Sequence, residues 1–163
     1  MSKKTPETCE QPAAVAVRRN PTQQRSRERQ ERILAAATQL IADKGSDQLK
    51  MSEIAERSEI SIGSLYQYFP DKSSVSHTLA ERYNAESRRC IAQAMEAVED
   101  AQGLQAAYSQ LLDLYYEIVM ATPVMRDIWS AMQADKQLLQ LELGESRVAG
   151  ALLARAMVRV YPD

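Results

Sequence analysis

The residues with the most chemistry to offer lie in one block, Ser61-Ile62-Gly63-Ser64-Leu65-Tyr66-Gln67-Tyr68-Phe69-Pro70-Asp71-Lys72. A glutamine amide can pair with the edge of an adenine, and an aliphatic or aromatic side chain can touch a thymine methyl group. Gln67, Ile62 and Tyr66 therefore suit the reading of base edges. Gly63 lets a backbone come close to a partner. The Tyr68 hydroxyl and the Lys72 ammonium suit phosphate oxygens, contacts that position a protein without reading sequence. Leu65 and Phe69 stand four apart and would share the inward side of a helix. Ile62, Gly63, Ser64, Tyr66 and Gln67 would stay outside.

Other reactive residue types are scattered. His77 stands alone among Ser73, Ser74 and Ser76, near the start of a helix, where a histidine is ordinarily a surface residue. Cys9 and Cys90 are far apart in unlike surroundings and make no CxxC, zinc or disulfide framework. There is no HExxH, no glycine-rich phosphate loop and no clustered set of carboxylates. The expectation is no catalytic residue, no metal and no cofactor.

The elements that must hold the block are helical. Thr22 begins a helical pattern in which Ile33, Leu34, Ala37, Leu40 and Ile41 form one stripe, and Gly45 is its natural stop. A short helix over 51–58 turns Met51, Ile54 and Ala55 inward. Ser58-Glu59-Ile60-Ser61 reads as a turn, and Ser61 can cap a third helix over 62–69. Two short helices joined by a tight turn after a longer one make a helix-turn-helix, whose second short helix can enter a major groove. Asp71 can cap a long fourth helix over 72–99. Gly103 reads as a break, followed by helices over 104–121, 123–134 and 137–160, with Thr122 as a cap before Pro123. No strand alternation appears, so the fold is expected to be all-α.

Charge is uneven along these elements. The net charge is -2, but residues 1–72 hold 12 Lys and Arg against 10 Asp and Glu, while residues 73–163 hold 8 against 12. Arg18, Arg19, Arg25, Arg27, Arg29 and Arg32 crowd one segment, so a polyanion would meet the N-terminal part first. Residues 1–21, with Pro6, Pro12 and Pro21 and no sustained apolar period, read as a disordered tail. No apolar run approaches the ~20 residues needed to cross a bilayer. The N-terminus lacks a secretory apolar core, and a reducing cytoplasm is the simplest address.

Residues 22–72 resemble the DNA-binding domain of the tetracycline-repressor (TetR) family of regulators. The resemblance rests on Arg32-Ile33-Leu34-Ala35-Ala36-Ala37 through Ile41 and Gly45, then Ile54-Ala55, then Ile60 through Lys72. It implies an N-terminal three-helix DNA-binding domain (22–72) joined by a long fourth helix to a helical-bundle regulatory domain (73–163). It implies DNA contacts by Tyr66, Tyr68 and Lys72, with Ser64 a small hydroxyl residue and Ser52, Ile62, Gly63 and Gln67 at positions that touch bases in some members. Arg25 and Arg27 fall in a basic lead-in that reaches flanking DNA in some members. Two positions depart from the pattern. Lys50 stands where a capping threonine is usual; it can reach a phosphate but cannot accept the capping hydrogen bond. Glu59 stands where glycine is usual, which forces a left-handed residue at a cost of about 1 kcal/mol.

The resemblance further implies a ligand-responsive repressor that acts as a homodimer on an inverted-repeat operator, with double-stranded DNA and a small-molecule effector as partners. Aromatic and methionine side chains suit an adaptable apolar pocket, and Tyr83, Met95, Tyr108, Tyr115, Tyr116, Met120, Met125, Trp129 and Met132 are the candidate lining. The family's last two long helices, which form its dimer interface, are not matched, and the seam Val148, Leu152, Ala156 and Val160 can serve an interface or pack internally. The rival reading is a helical protein-interaction module that retains the helix-turn-helix only as structure.

Overall fold

The computed structural model describes residues 21–121, 123–132 and 136–162. Among the described residues seven helices follow one another: α1 (Pro21–Lys44), α2 (Met51–Arg57), α3 (Ile62–Tyr68), α4 (Lys72–Glu96), α5 (Ala101–Ala121), α6 (Pro123–Met132) and α7 (Lys136–Val160). No strand occurs among the described residues. Most of the expected tail and the Thr122 cap lie outside the described residues, but Pro21 belongs to α1 and not to the tail. A proline suits that first position because its missing N–H would have no partner there.

The expected helix ends are present, with one correction. Gly45 closes α1 with φ +91, and its N–H donates to the Ile41 carbonyl at 2.9 Å. The Asp71 carboxylate accepts from the Ser74 N–H at 2.7 Å, while the Ser74 hydroxyl returns to the Asp71 backbone, a reciprocal capping box at the start of α4. Gly103, however, is not a break but lies inside α5. Asp100 overrides it: its carboxylate accepts from the Gly103 N–H at 2.7 Å, which starts the helix two residues before the glycine.

One core joins the two halves. Ile33, Leu34, Ala37, Leu40 and Ile41 of α1 meet Ile54, Ala55, Leu65 and Phe69, then Val75, Leu79 and Ala80 of α4, and also Val124 and Ile128 of α6 and Leu138 of α7. Burying a large aliphatic side chain of this kind stabilises by about 1.5–3 kcal/mol. The helix-turn-helix is therefore seated on the bundle through a shared apolar layer. A bidentate pair from Arg82 to Glu31, at 2.5 and 2.7 Å, ties α4 to α1 outside that layer. Farther along, α4 packs chiefly against α7, and Arg159 of α7 donates to the Met95 carbonyl at 2.5 Å. Of the expected α7 seam, Ala156 is buried while Val148 is exposed.

Candidate nucleic-acid interface and bundle cavity

The geometry of α3 follows from its two ends. Ser61, in extended conformation, caps it by accepting from the Ser64 N–H at 3.2 Å. At the other end Phe69 leaves the helix and turns its ring into the core. With Leu65 and Phe69 buried beneath, the opposite side is forced outward: Ile62 is 44% and Tyr66 52% exposed, and Gly63 and Gln67 are exposed beside them. A Cβ built on Gly63 would meet nothing within 4 Å, so the glycine answers to no neighbour in the chain itself. Ser64 is half-buried.

The turn before α3 adopts the strained geometry expected of it. Glu59 has φ +57 and is the one non-glycine residue with positive φ among the described residues. Its N–H donates to the Glu56 carbonyl and the Ile60 N–H to the Ala55 carbonyl, at 3.1 and 3.0 Å. That is the paired pattern of a Schellman motif, which normally places glycine at this position. The buried Ser58 hydroxyl adds a bond to the Ile54 carbonyl at 2.6 Å. At the start of α2, Lys50 makes no side-chain cap, and Glu53 and Ile54 donate to its backbone carbonyl instead.

Side chains suited to phosphate surround α3. The Tyr68 hydroxyl lies 3.4 Å from Ser26 Oγ, which donates to it. Ser26 sits between the exposed Arg25 and Arg27, so this bond brings the basic lead-in to the C-terminal end of α3. Lys72 is exposed, and its Nζ donates to the Asp47 carbonyl at 3.0 Å; Lys50 and Ser52, at the start of α2, are exposed as well. His77 faces Glu81 one turn along α4, at 3.6 Å, as a helix-surface pair.

A second feature lies in the bundle, a cavity of about 450 Å³. Tyr83, Met95, Tyr108, Tyr115, Met125 and Trp129 all line it, and Tyr115 stacks on Trp129 with ring centres 5.6 Å apart. Met120 and Tyr116 do not; they are 57% and 65% exposed on the outward side of α5, because the cavity takes the face carrying positions 108, 111, 112, 115 and 118. The Met132 side chain lies outside the described residues. Burial raises the Tyr83 phenol above its ordinary pKa, opposed by a hydrogen bond with Thr38 of α1. Sequence reasoning missed the polar part of this wall, which includes Asn84 and an Arg88–Glu145 ion pair. The spacing 84, 88, 91, 95 on α4 was the available signal, because it carries a polar pair within an otherwise apolar helical stripe.

Asp127 of α6 was also missed. It accepts from the Ser46 backbone N–H at 2.5 Å, immediately after the α1 stop. On the same helix, Met125 and Trp129 line the cavity while Val124 and Ile128 enter the shared core.

The profile described as bacterial regulatory proteins, tetR family, matches residues 33–76. The profile described as tetracyclin repressor-like, C-terminal domain, matches residues 102–163. The HTH-type transcriptional repressor KstR of Mycolicibacterium smegmatis is 41% identical over 46 residues, which is 28% of this chain and 22% of that protein. The HTH-type transcriptional regulator HbdR of Aromatoleum sp. (strain CIB) is 28% identical over 124 residues, 74% of this chain and 52% of that protein. The chain thus spans at most about half the length of these relatives. A solved TetR-family transcriptional regulator from Mesorhizobium loti superposes with a TM-score of 0.70 at 21% identity, over 83% of this chain and 69% of that one. A transcriptional regulator from Streptomyces coelicolor gives 0.68 at 20% identity, over 79% and 75%, and both show the same fold. One profile falls on the helix-turn-helix and the other on α5 to α7, and the chain belongs to the tetR family of bacterial regulatory proteins.

Proposed function

We propose that the chain is a sequence-specific DNA-binding transcriptional repressor of the cytoplasm, acting as a homodimer on an inverted-repeat operator and responding to a small effector in the bundle cavity. The observation that carries the reading is the outward face of α3. Ile62, Gly63, Tyr66 and Gln67 are exposed together on a short helix held from beneath by Leu65 and Phe69. A protein with no use for that face would have no reason to present a glutamine and aromatic side chains around a bare glycine. Gln67 reads an adenine edge, while Ile62 and Tyr66 supply apolar contact. Lys72, Lys50, Tyr68, Arg25 and Arg27 engage phosphates on either side. This reading assigns the chain no catalytic role, and His77 faces Glu81 one turn along α4.

The test is a gel shift on random duplex DNA at rising salt. A phosphate-gripping protein binds at low salt and weakens steeply as salt rises. No shift at low salt would overturn the reading in favour of a protein-interaction module. Genomic footprinting with and without cell extract then addresses the operator and the effector. Protected half-sites related by two-fold symmetry, one helical turn or a multiple apart, are expected of the dimer.

A further inference from the structure

Resting on the reading of α3 as the base-reading helix, the chemistry of its outward face narrows the sequence it can select. Helix α3 carries no charged side chain along its whole length. Guanine is most often read by a bidentate arginine or lysine, and the cytosine amino group by a carboxylate. Neither is available on this helix. The exposed groups it offers are the Gln67 amide, the Tyr66 ring with its hydroxyl, and the hydrocarbon of Ile62. The amide suits adenine.

Ile62 differs from the others in kind. It lies outside the core cluster, and its side chain holds neither donor nor acceptor. It can therefore tell bases apart only by apolar contact, and the apolar group on a base edge in the major groove is the thymine C5 methyl. The surroundings of Ile62 favour that contact. Gly63 beside it has no Cβ, and one built there would meet nothing within 4 Å, so the backbone at this end of α3 can come close to the groove floor. Tyr66, one turn along and exposed, adds an aromatic ring on the same side, which shields the contact from water. Five residues of helical rise, about 7.5 Å, exceed one base-pair step of ~3.4 Å, so Ile62 and Gln67 address different base pairs.

We propose that Ile62 reads the C5 methyl group of a pyrimidine: one base pair of the half-site is chosen by that methyl, and 5-methylcytosine·guanine can replace thymine·adenine there. The two pyrimidines differ in their hydrogen-bonding edges, an O4 acceptor against an N4 donor. Their methyl groups sit on the same ring carbon, and a side chain without donor or acceptor responds only to the methyl. The base pair under Gln67 behaves the other way, because an amide reads the adenine edge and no methyl.

The experiment uses the whole chain to select bound duplexes from two random pools at low salt. One pool holds the natural bases. In the other, uracil replaces thymine and 5-methylcytosine replaces cytosine, so the methyl moves from one pyrimidine to the other while base pairing is unchanged. Sequencing of the bound fraction should show a thymine·adenine pair in the natural pool that becomes 5-methylcytosine·guanine in the swapped pool, and a separate adenine position that is the same in both. In the selected natural duplex, uracil in place of that one thymine should weaken binding about fourfold in a competition titration, the size of one buried methyl. Ile62→Ser should abolish the switch, keep the adenine position, and melt like wild type because Ile62 lies outside the core. The same consensus in both pools would overturn the methyl reading, and so would a switch that survives in Ile62→Ser. Binding at low salt with no base enriched would overturn it too, while leaving the phosphate contacts in place. Absence of binding at low salt is the separate failure that overturns the DNA reading itself.

Discussion

In the proposed reading Lys72 and Gln67 do different work from neighbouring positions, and substitution separates them. Lys72 is exposed at the start of α4 and donates only to a backbone carbonyl, so its removal leaves the core untouched. Lys72→Ala should weaken binding to every duplex alike and lower the slope of log affinity against log salt by about one, read from binding isotherms at several salt concentrations. Gln67→Ala should instead cost about 1–3 kcal/mol at a single base pair and leave the salt slope in place. Equal losses on all operator variants would count against Gln67 as a reader. Glu59 belongs to the same scale. Its φ of +57 in a Schellman turn is a conformation glycine adopts freely. Glu59→Gly should raise stability by about 1 kcal/mol in urea melts, and should tighten DNA binding slightly by removing a negative charge near the phosphates.

Among the helices, α6 has the most divided role. Four successive apolar positions split two ways, Met125 and Trp129 toward the cavity and Val124 and Ile128 into the core that carries the helix-turn-helix. Between them Asp127 accepts from the Ser46 N–H, in the loop that leads to α2. A carboxylate accepting from a backbone N–H is a charge-assisted bond, and its loss leaves that donor without a protein partner. Asp127→Ala should destabilise the chain by about 1–3 kcal/mol in denaturant melts. Asp127→Asn keeps an acceptor and should lose less. If both melt like wild type, Ser46 finds water instead and the bond holds nothing in place. Helix α3 is too short to be stable alone; its conformation depends on the Ser61 cap and on Leu65 and Phe69 beneath it.

For the whole molecule, the ion pairs between helices predict how stability responds to pH. The Arg82 guanidinium, by its hydrogen bonds and charge, holds the Glu31 carboxyl below the ordinary carboxylate range, and Lys44 does the same for Glu53. Both groups are more acidic folded than unfolded. Their contribution is therefore present above the ordinary glutamate pKa and is lost as pH falls through the lowered values. The Glu31–Arg82 pair is exposed and the Lys44–Glu53 pair half-buried, so the effect is small and falls further with salt. The Tyr83 phenol is shifted the other way, and burial makes it harder to ionise. Its contribution holds below the ordinary tyrosine pKa and fades as pH rises through the raised value. A stability profile should accordingly decline at both extremes, and Glu31→Gln should flatten the acid limb; an unchanged acid limb in that variant would show that the Glu31–Arg82 pair contributes nothing.

Much of this protein was legible in order along the chain, because local physics acts over a few residues. The apolar period of α1, the Ser61 and Asp71 caps, the Gly45 stop and the left-handed Glu59 each depend on neighbours within one or two turns. The outward face of α3 follows from two buried residues four apart. Where local signals competed, the nearest donor–acceptor pair prevailed: Asp100 started α5 through a residue that composition alone marks as a break. The cavity could be read only in part. Six aromatic and methionine residues that suited a pocket do converge on one, but no periodicity distinguishes Tyr115, which lines it, from Tyr116, which does not, until the packing of α5 against α4, α6 and α7 is known. Asn84, the Arg88–Glu145 pair and the Asp127–Ser46 bond lie beyond any local rule, since they join residues up to 81 positions apart or depend on what surrounds them. Helix ends and helix faces are set by neighbours along the chain. Which face meets which, and which polar group is left without a partner, is set by how the helices pack.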